Sequence, residues 1–175
     1  MLQKILVPLD GSALAEAAID YVKEIARRCE PVEVTLLQVI RMPSGQTAAV
    51  SKPVDGEFPG KRAPASTVDA DKEAHPIYRE QEMASARSSA EASMASAAQA
   101  LKAADIDTRT QVVFGRPAQE IVDFAEGGDF DLIVMCTHGR SGVQRWLLGS
   151  VADKVIRGTH LPVFVVRPRD LDSGA

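Results

Sequence analysis

The sequence predicts an α/β protein, an open five-stranded parallel sheet with helices on both faces. Three observations lead there. Five short apolar runs rich in branched residues have strand length, at 4–9, 32–40, 108–114, 132–135 and 162–166. Segments with apolar residues at helical spacing separate most of them. Strands joined by helices need crossover connections, and crossovers join parallel strands. The 175 residues fit a single domain, expected over 1–168 with a frayed tail at 169–175.

The run K-I-L-V-P-L at 4–9 is nearly all apolar, as expected of a strand buried on both faces. Pro8 has no N–H to give to a ladder and so belongs at the strand's end. Asp10-Gly11-Ser12 makes a turn and a helix cap, after which Leu14, Ala18, Tyr21, Val22, Ile25 and Cys29 recur at helical spacing. Glu30-Pro31 stops that helix and V-E-V-T-L-L-Q-V-I forms the second strand. From 42 to 82 the composition shifts: five of the ten prolines, three glycines and no leucine read as a long loop, inserted at a strand's carboxyl end.

Helix resumes over 83–104, where Met83, Ala90, Met94, Ala97, Leu101 and Ala104 make one narrow face. Strand 108–114 is broken by Gly115-Arg116-Pro117. Pro117 suits a first helical position, Glu120 lies in the first turn, and Ala118, Ile121, Val122 and Ala125 form the buried stripe, ended by Gly127-Gly128. Strand 132–135 runs into a Gly- and Arg-containing loop, and a helix begins at Gly149-Ser150, carried by Leu148, Val151, Ala152, Val155 and Ile156 to Gly158. P-V-F-V-V at 162–166 is the last strand.

Composition excludes several function classes. A net charge of −4 argues against nucleic-acid binding through a general positive field. No apolar run approaches the roughly 20 residues of a membrane span, and the first residues lack a signal-peptide pattern, so the expected location is cytoplasmic. Cys29 and Cys136 are far apart in sequence, which speaks against a disulfide, and His75, His138 and His160 lack metal-ligand spacing.

Ligands of open parallel sheets bind at the carboxyl ends of the strands, where the strand order reverses. In that frame Asp10, the end of the second strand near Val39, and the loop from Cys136 to Ser150 converge. Amides at the first turn of a helix have no partner within it, and the helix dipole favours an anion there. Asp10 serves equally well as a turn-former.

K-I-L-V-P-L-D-G-S, M-C-T-H-G-R-S-G with L-L-G-S-V-A-D-K-V-I, and L-P-V-F-V-V-R-P occur in this order and together resemble the universal stress protein family. The likeness covers the chain outside the insertion. It implies a Rossmann-like fold of the adenine-nucleotide alpha-hydrolase type. The nucleotide-binding branch carries G-x-x-G, nine residues, then G-S or G-T. Gly139, the nine residues 140–148 and Gly149-Ser150 match, while Cys136 stands at the first glycine.

The resemblance implies an ATP site, with or without Mg2+, AMP being the alternative. Asp10 and the main chain near Val39 meet the adenosine end and Pro8 lines the pocket. Gly139, Gly149, Ser150 and Val151 offer N–H groups to the phosphates, with Met135, Cys136 and Arg140 completing the set. It also implies a homodimer paired through 162–166, with no membrane or nucleic-acid partner. The expected function is a nucleotide-dependent regulator of the stress response. Two alternatives stand beside it: a dimeric interaction module without nucleotide, and a slow ATPase, for which no G-x-x-x-x-G-K-[ST] is present.

Overall fold

The computed structural model describes residues 2–29, 31–41, 76–136 and 148–167. Five strands, β1 (Lys4–Leu9), β2 (Glu33–Ile40), β3 (Asp107–Phe114), β4 (Leu132–Cys136) and β5 (Val163–Val166), form one sheet in the order β3-β2-β1-β4-β5. Every neighbouring pair is parallel. Among the described residues four helices lie between them: α1 (Ala13–Arg28), α2 (Pro76–Lys102), α3 (Pro117–Gly127) and α4 (Ser150–Gly158). The chain steps outward from β1 to β2 and β3, then returns to β4 on the other side of β1. The order therefore reverses between β1 and β4.

Alternation along the strands builds two cores, one on each face. Ile5, Val7, Val34 and Leu36 meet Ala18, Val22 and Ala26 of α1 and Ala90, Met94 and Leu101 of α2. Leu6, Leu37, Ile133 and Met135 meet Ile121, Val122 and Ala125 of α3 and Ala152 and Val155 of α4. The helical residues recur at three- and four-residue intervals, so each helix turns one stripe inward.

Two carboxylates set the ends of β1. At its start Asp131 Oδ2 accepts the N–H of Gln3 at 2.8 Å and of Lys4 at 2.9 Å. These hydrogen bonds favour the ionised form and hold the carboxyl below its usual range. At its far end Asp10 organises the turn into α1, described below. Between β1 and β4 the registered pairs are Ile5 with Leu132 and Leu6 with Ile133. Pro8, without an N–H, cannot extend a ladder on that side, although it remains in register with Leu37 of β2.

The helix expected over 83–104 starts earlier, at Pro76, so 76–82 is helical and not part of the inserted loop. Pro76 occupies a first helical position, where its fixed φ is helical and its missing N–H costs nothing. The rest of the insertion, 42–75, lies outside the described residues. By Cα proximity the chain divides into a unit of Met1–Met42 with Arg87–Ala175, and a second of Pro43–Ala86. Of the second unit the described part is 76–86, the first turns of α2.

The end of α2 is a Schellman motif without a glycine. Asp105 has φ 59°, its N–H donates to Lys102 O at 3.0 Å, and Ile106 N–H donates to Leu101 O at 3.2 Å. Ile106 then buries itself beside Leu101, the apolar contact that accompanies this cap. At the end of α3 the role of glycine is steric. Gly128 has φ −103°, which any residue adopts, but a Cβ there would lie 2.5 Å from the Phe130 ring.

Candidate functional site

The crossover from β4 to β5 fixes the direction of α4. Joining two parallel strands, it returns from the carboxyl edge of the sheet to the amino edge, so its N-terminus lies at the carboxyl edge, beside the reversal of strand order. Gly149 is its N-cap residue, with φ −55° and ψ 149°, and among the described residues no side chain caps the first turn. Gly149 O accepts the Asp153 N–H at 2.9 Å. Ser150 is exposed, and Val151 is half-buried against the core beneath. The first-turn amides thus carry the partial positive charge of the helix end, and the first-turn carboxylate, Asp153, is paired with Arg157 Nε at 3.0 Å.

Asp10 follows directly on β1 at the same edge. Its Oδ1 accepts both the backbone N–H of Ser12 at 3.0 Å and the Ser12 hydroxyl at 2.6 Å. Gly11 between them has φ 75°, a conformation open to glycine at little cost. The turn-forming role expected of Asp10 is therefore realised, through Ser12, a residue the sequence signals by its i, i+2 spacing from the carboxylate.

Cys136 closes β4. It has no positive φ, so a cysteine at the glycine position of the motif carries no backbone strain. Its side chain turns toward the core beneath α1. Burial pushes the thiol up to about 11, and the charge of Asp10 acts in the same direction, while a backbone hydrogen bond at Ala18 opposes them. The interaction with Asp10 places the ends of β1 and β4 next to each other. A thiol this weakly acidic is neutral at pH 7 and a poor nucleophile. Cys29 and Cys136 are not joined in a disulfide.

The other expected residues divide. Pro8 is half-buried near the end of β1, and Val39 is half-buried in β2, in register with Val113. Met135 is buried in the second core, so its main chain and not its thioether is available at the edge. Gly139, Arg140 and His138 lie outside the described residues. The described part of the site is thus the junction of β1, β2 and β4 with the start of α4. Among the described residues no group of three His, Cys, Asp or Glu converges, and no helix is long and apolar enough to cross a membrane.

Comparison with known proteins agrees with this architecture. Over 62 residues the chain is 52% identical to the universal stress protein MJ0531 of Methanocaldococcus jannaschii, a match covering 35% of this chain and 36% of that one. It is 31% identical to MJ0577 of the same organism over 97% of this chain and 98% of that one. The solved structure of MJ0577 superposes with a TM-score of 0.73 at 26% identity, covering 97% and 99% of the two chains. Two more distant structures share the fold: a universal stress protein in complex with cAMP, and an Arabidopsis thaliana member with AMP bound. The first has a TM-score of 0.55 at 24% identity, covering 94% of this chain and 95% of that one; the second has 0.53 at 12%, covering 99% and 96%. The family model for universal stress proteins matches residues 1–167. Matched by that model over nearly its whole length and built on the parallel order β3-β2-β1-β4-β5, the chain belongs to the universal stress protein family.

Proposed function

We propose that this universal stress protein binds an adenine nucleotide, ATP in the first instance and AMP as the alternative, and acts as a homodimeric regulator whose contacts depend on the bound nucleotide. One observation carries the reading: among the described residues the start of α4, at the edge where the strand order reverses, has no side-chain cap. Phosphate oxygens supply the acceptors that such amides lack. Asp10 and the main chain at Val39 lie at the same edge for the adenosine end. Gly139 and Arg140 join the phosphate side by the family pattern, and Mg2+ enters as the companion of the phosphates. Family members with cAMP and AMP bound add support at the level of the fold. The proposed domain is 1–168 with an insertion, now ending before Pro76. A regulator requires no hydrolysis, and any turnover expected is slow.

Gly149→Asp tests this reading and separates it from loss of fold. An aspartate at the N-cap supplies the missing acceptor and suits the dipole, so stability should hold or rise by about 0.5–1 kcal/mol. The same carboxylate occupies the phosphate position and repels it. Equilibrium dialysis with nucleotide-stripped protein should find ATP bound by the parent chain and at least about tenfold weaker binding in the variant. ATP binding of equal strength in both would move the phosphates elsewhere. No binding by either leaves the dimeric interaction module as the surviving function, a reading favoured by the engagement of Asp10 within its own turn.

A further inference from the structure

A second recess opens at the amino edge of the sheet, on the face that carries α3 and α4, where the cores continue as polar side chains. Strand register lines them up: Lys4 of β1 beside Glu33 of β2, Thr35 beside Arg109 of β3, and Leu37 beside the exposed Gln111. Phe124 and Phe130 form an aromatic wall, their centroids 5.8 Å apart. The cavity has a volume of about 180 Å³.

Its floor is Thr35, which is 4% exposed and whose hydroxyl has no hydrogen-bond partner among the described residues. No fully enclosed side-chain oxygen in these residues lacks a partner, so the Thr35 hydroxyl reaches the recess. Arg109 Nη2 lies 3.0 Å from Glu33 Oε2, which leaves the remaining N–H groups of the guanidinium for another acceptor. Lys4 Nζ donates to Gly128 O across a long 3.4 Å. Two cations against one carboxylate, an unsatisfied hydroxyl and an apolar wall make an amphipathic, net positive cup.

We propose that this recess binds a small organic monocarboxylate, with the carboxylate on Arg109, Thr35 and Lys4 and the hydrocarbon body against Phe124 and Phe130. Paired guanidinium N–H groups match a planar carboxylate in geometry, and an aromatic wall suits a ring or short chain. The cavity is below the roughly 300–1,000 Å³ of drug-sized pockets, so the ligand is of benzoate size and a nucleotide does not fit. The site lies at the opposite edge from α4's N-terminus and stands or falls separately from nucleotide binding.

Benzoate titrated into the ¹⁵N-labelled full chain should shift the amides of Thr35, Arg109 and Gln111 saturably, with a Kd of about 1 mM for so small a ligand. Arg109→Gln, at an exposed position, should weaken the response at least about tenfold with the rest of the spectrum unchanged. Thr35→Val, nearly isosteric, should weaken it as well. Absence of saturable shifts overturns the proposal. So do shifts that survive in Arg109→Gln, or inorganic phosphate giving the same shifts as strongly as benzoate, which would mark a general anion surface.

Discussion

Cys136 shows how one residue can depart from a family pattern without disturbing the backbone. The motif has glycine there, and a cysteine is harmless because β4 reaches it with negative φ and its side chain turns into the core under α1. The consequence lies in its acidity. The thiol's ordinary value is 9.0, burial and the Asp10 charge raise it to about 11, and the folded protein therefore favours the neutral form. The unfolded chain loses this proton first, so the corresponding stability is complete below pH 9 and declines as pH rises from there toward 11. In a Cys29→Ser variant, labelling of Cys136 by iodoacetamide should be slow at pH 8. Its rate should climb about tenfold per pH unit until it levels near pH 11. A plateau already reached at pH 9 would mean that the thiol is open to solvent and belongs to the crevice surface. Asp10 was legible as a residue of the carboxyl edge, and its Ser12 partner was present in D-G-S. Which face Cys136 takes was not legible, because a strand-end residue follows the pleat only as far as the strand continues.

At the scale of elements, α2 is the instructive case. Its C-terminus makes both hydrogen bonds of a Schellman motif on an aspartate at φ 59°. A Cβ in the left-handed region costs roughly 1–2 kcal/mol, and a carboxylate at a helix C-terminus opposes the dipole. Glycine removes both penalties but adds about 0.5–1 kcal/mol of unfolded-state entropy. Asp105→Gly should therefore stabilise by about 0.5–1 kcal/mol, raising Tm by about 1–4 °C, as read by thermal unfolding. A lower Tm would show that the Asp105 side chain holds the turn itself. The five strands were legible because burial on both faces writes them as apolar runs. The start of α2 was not. Pro76 sits at the edge of a proline-rich window whose composition masks its role as a first helical residue, whereas the end, expected at Ala104 directly before the Asp105 turn, was legible from the apolar spacing although no glycine announces it. The polar recess escaped notice similarly: T-R-T-Q reads as strand, but only the placement of α3 decides that Arg109 and Gln111 are left uncovered.

For the whole molecule the open question is what meets the edge of the sheet. Among the described residues β5 has β4 on one side and no strand on the other, an edge with backbone groups available for pairing. Phe164 is 42% exposed there and Tyr21 of α1 is 45% exposed, with ring centroids 6.2 Å apart, so the edge carries an apolar surface as well as a ladder. Edge strands that stay solitary are usually guarded by charge, proline or a covering segment, and V-F-V-V has none within it. We expect two copies to pair through this strand around a two-fold axis, each Phe164 covered by the other chain. Isologous contacts place every such residue twice, so one substitution acts on both halves of the interface. Phe164→Lys should then convert a species of twice the 18.8 kDa chain mass into a single chain in sedimentation velocity at micromolar concentration. The parent protein sedimenting as one chain would refute the dimer outright, and a variant that stays paired would place the interface on another surface. Because α4 shares a core with Ile133 and Met135 of β4, pairing at β5 lies one strand away from the element under the helix start proposed to hold phosphate. If nucleotide binding regulates assembly, ATP should shift the dimer equilibrium in the parent chain and leave it unmoved in Gly149→Asp.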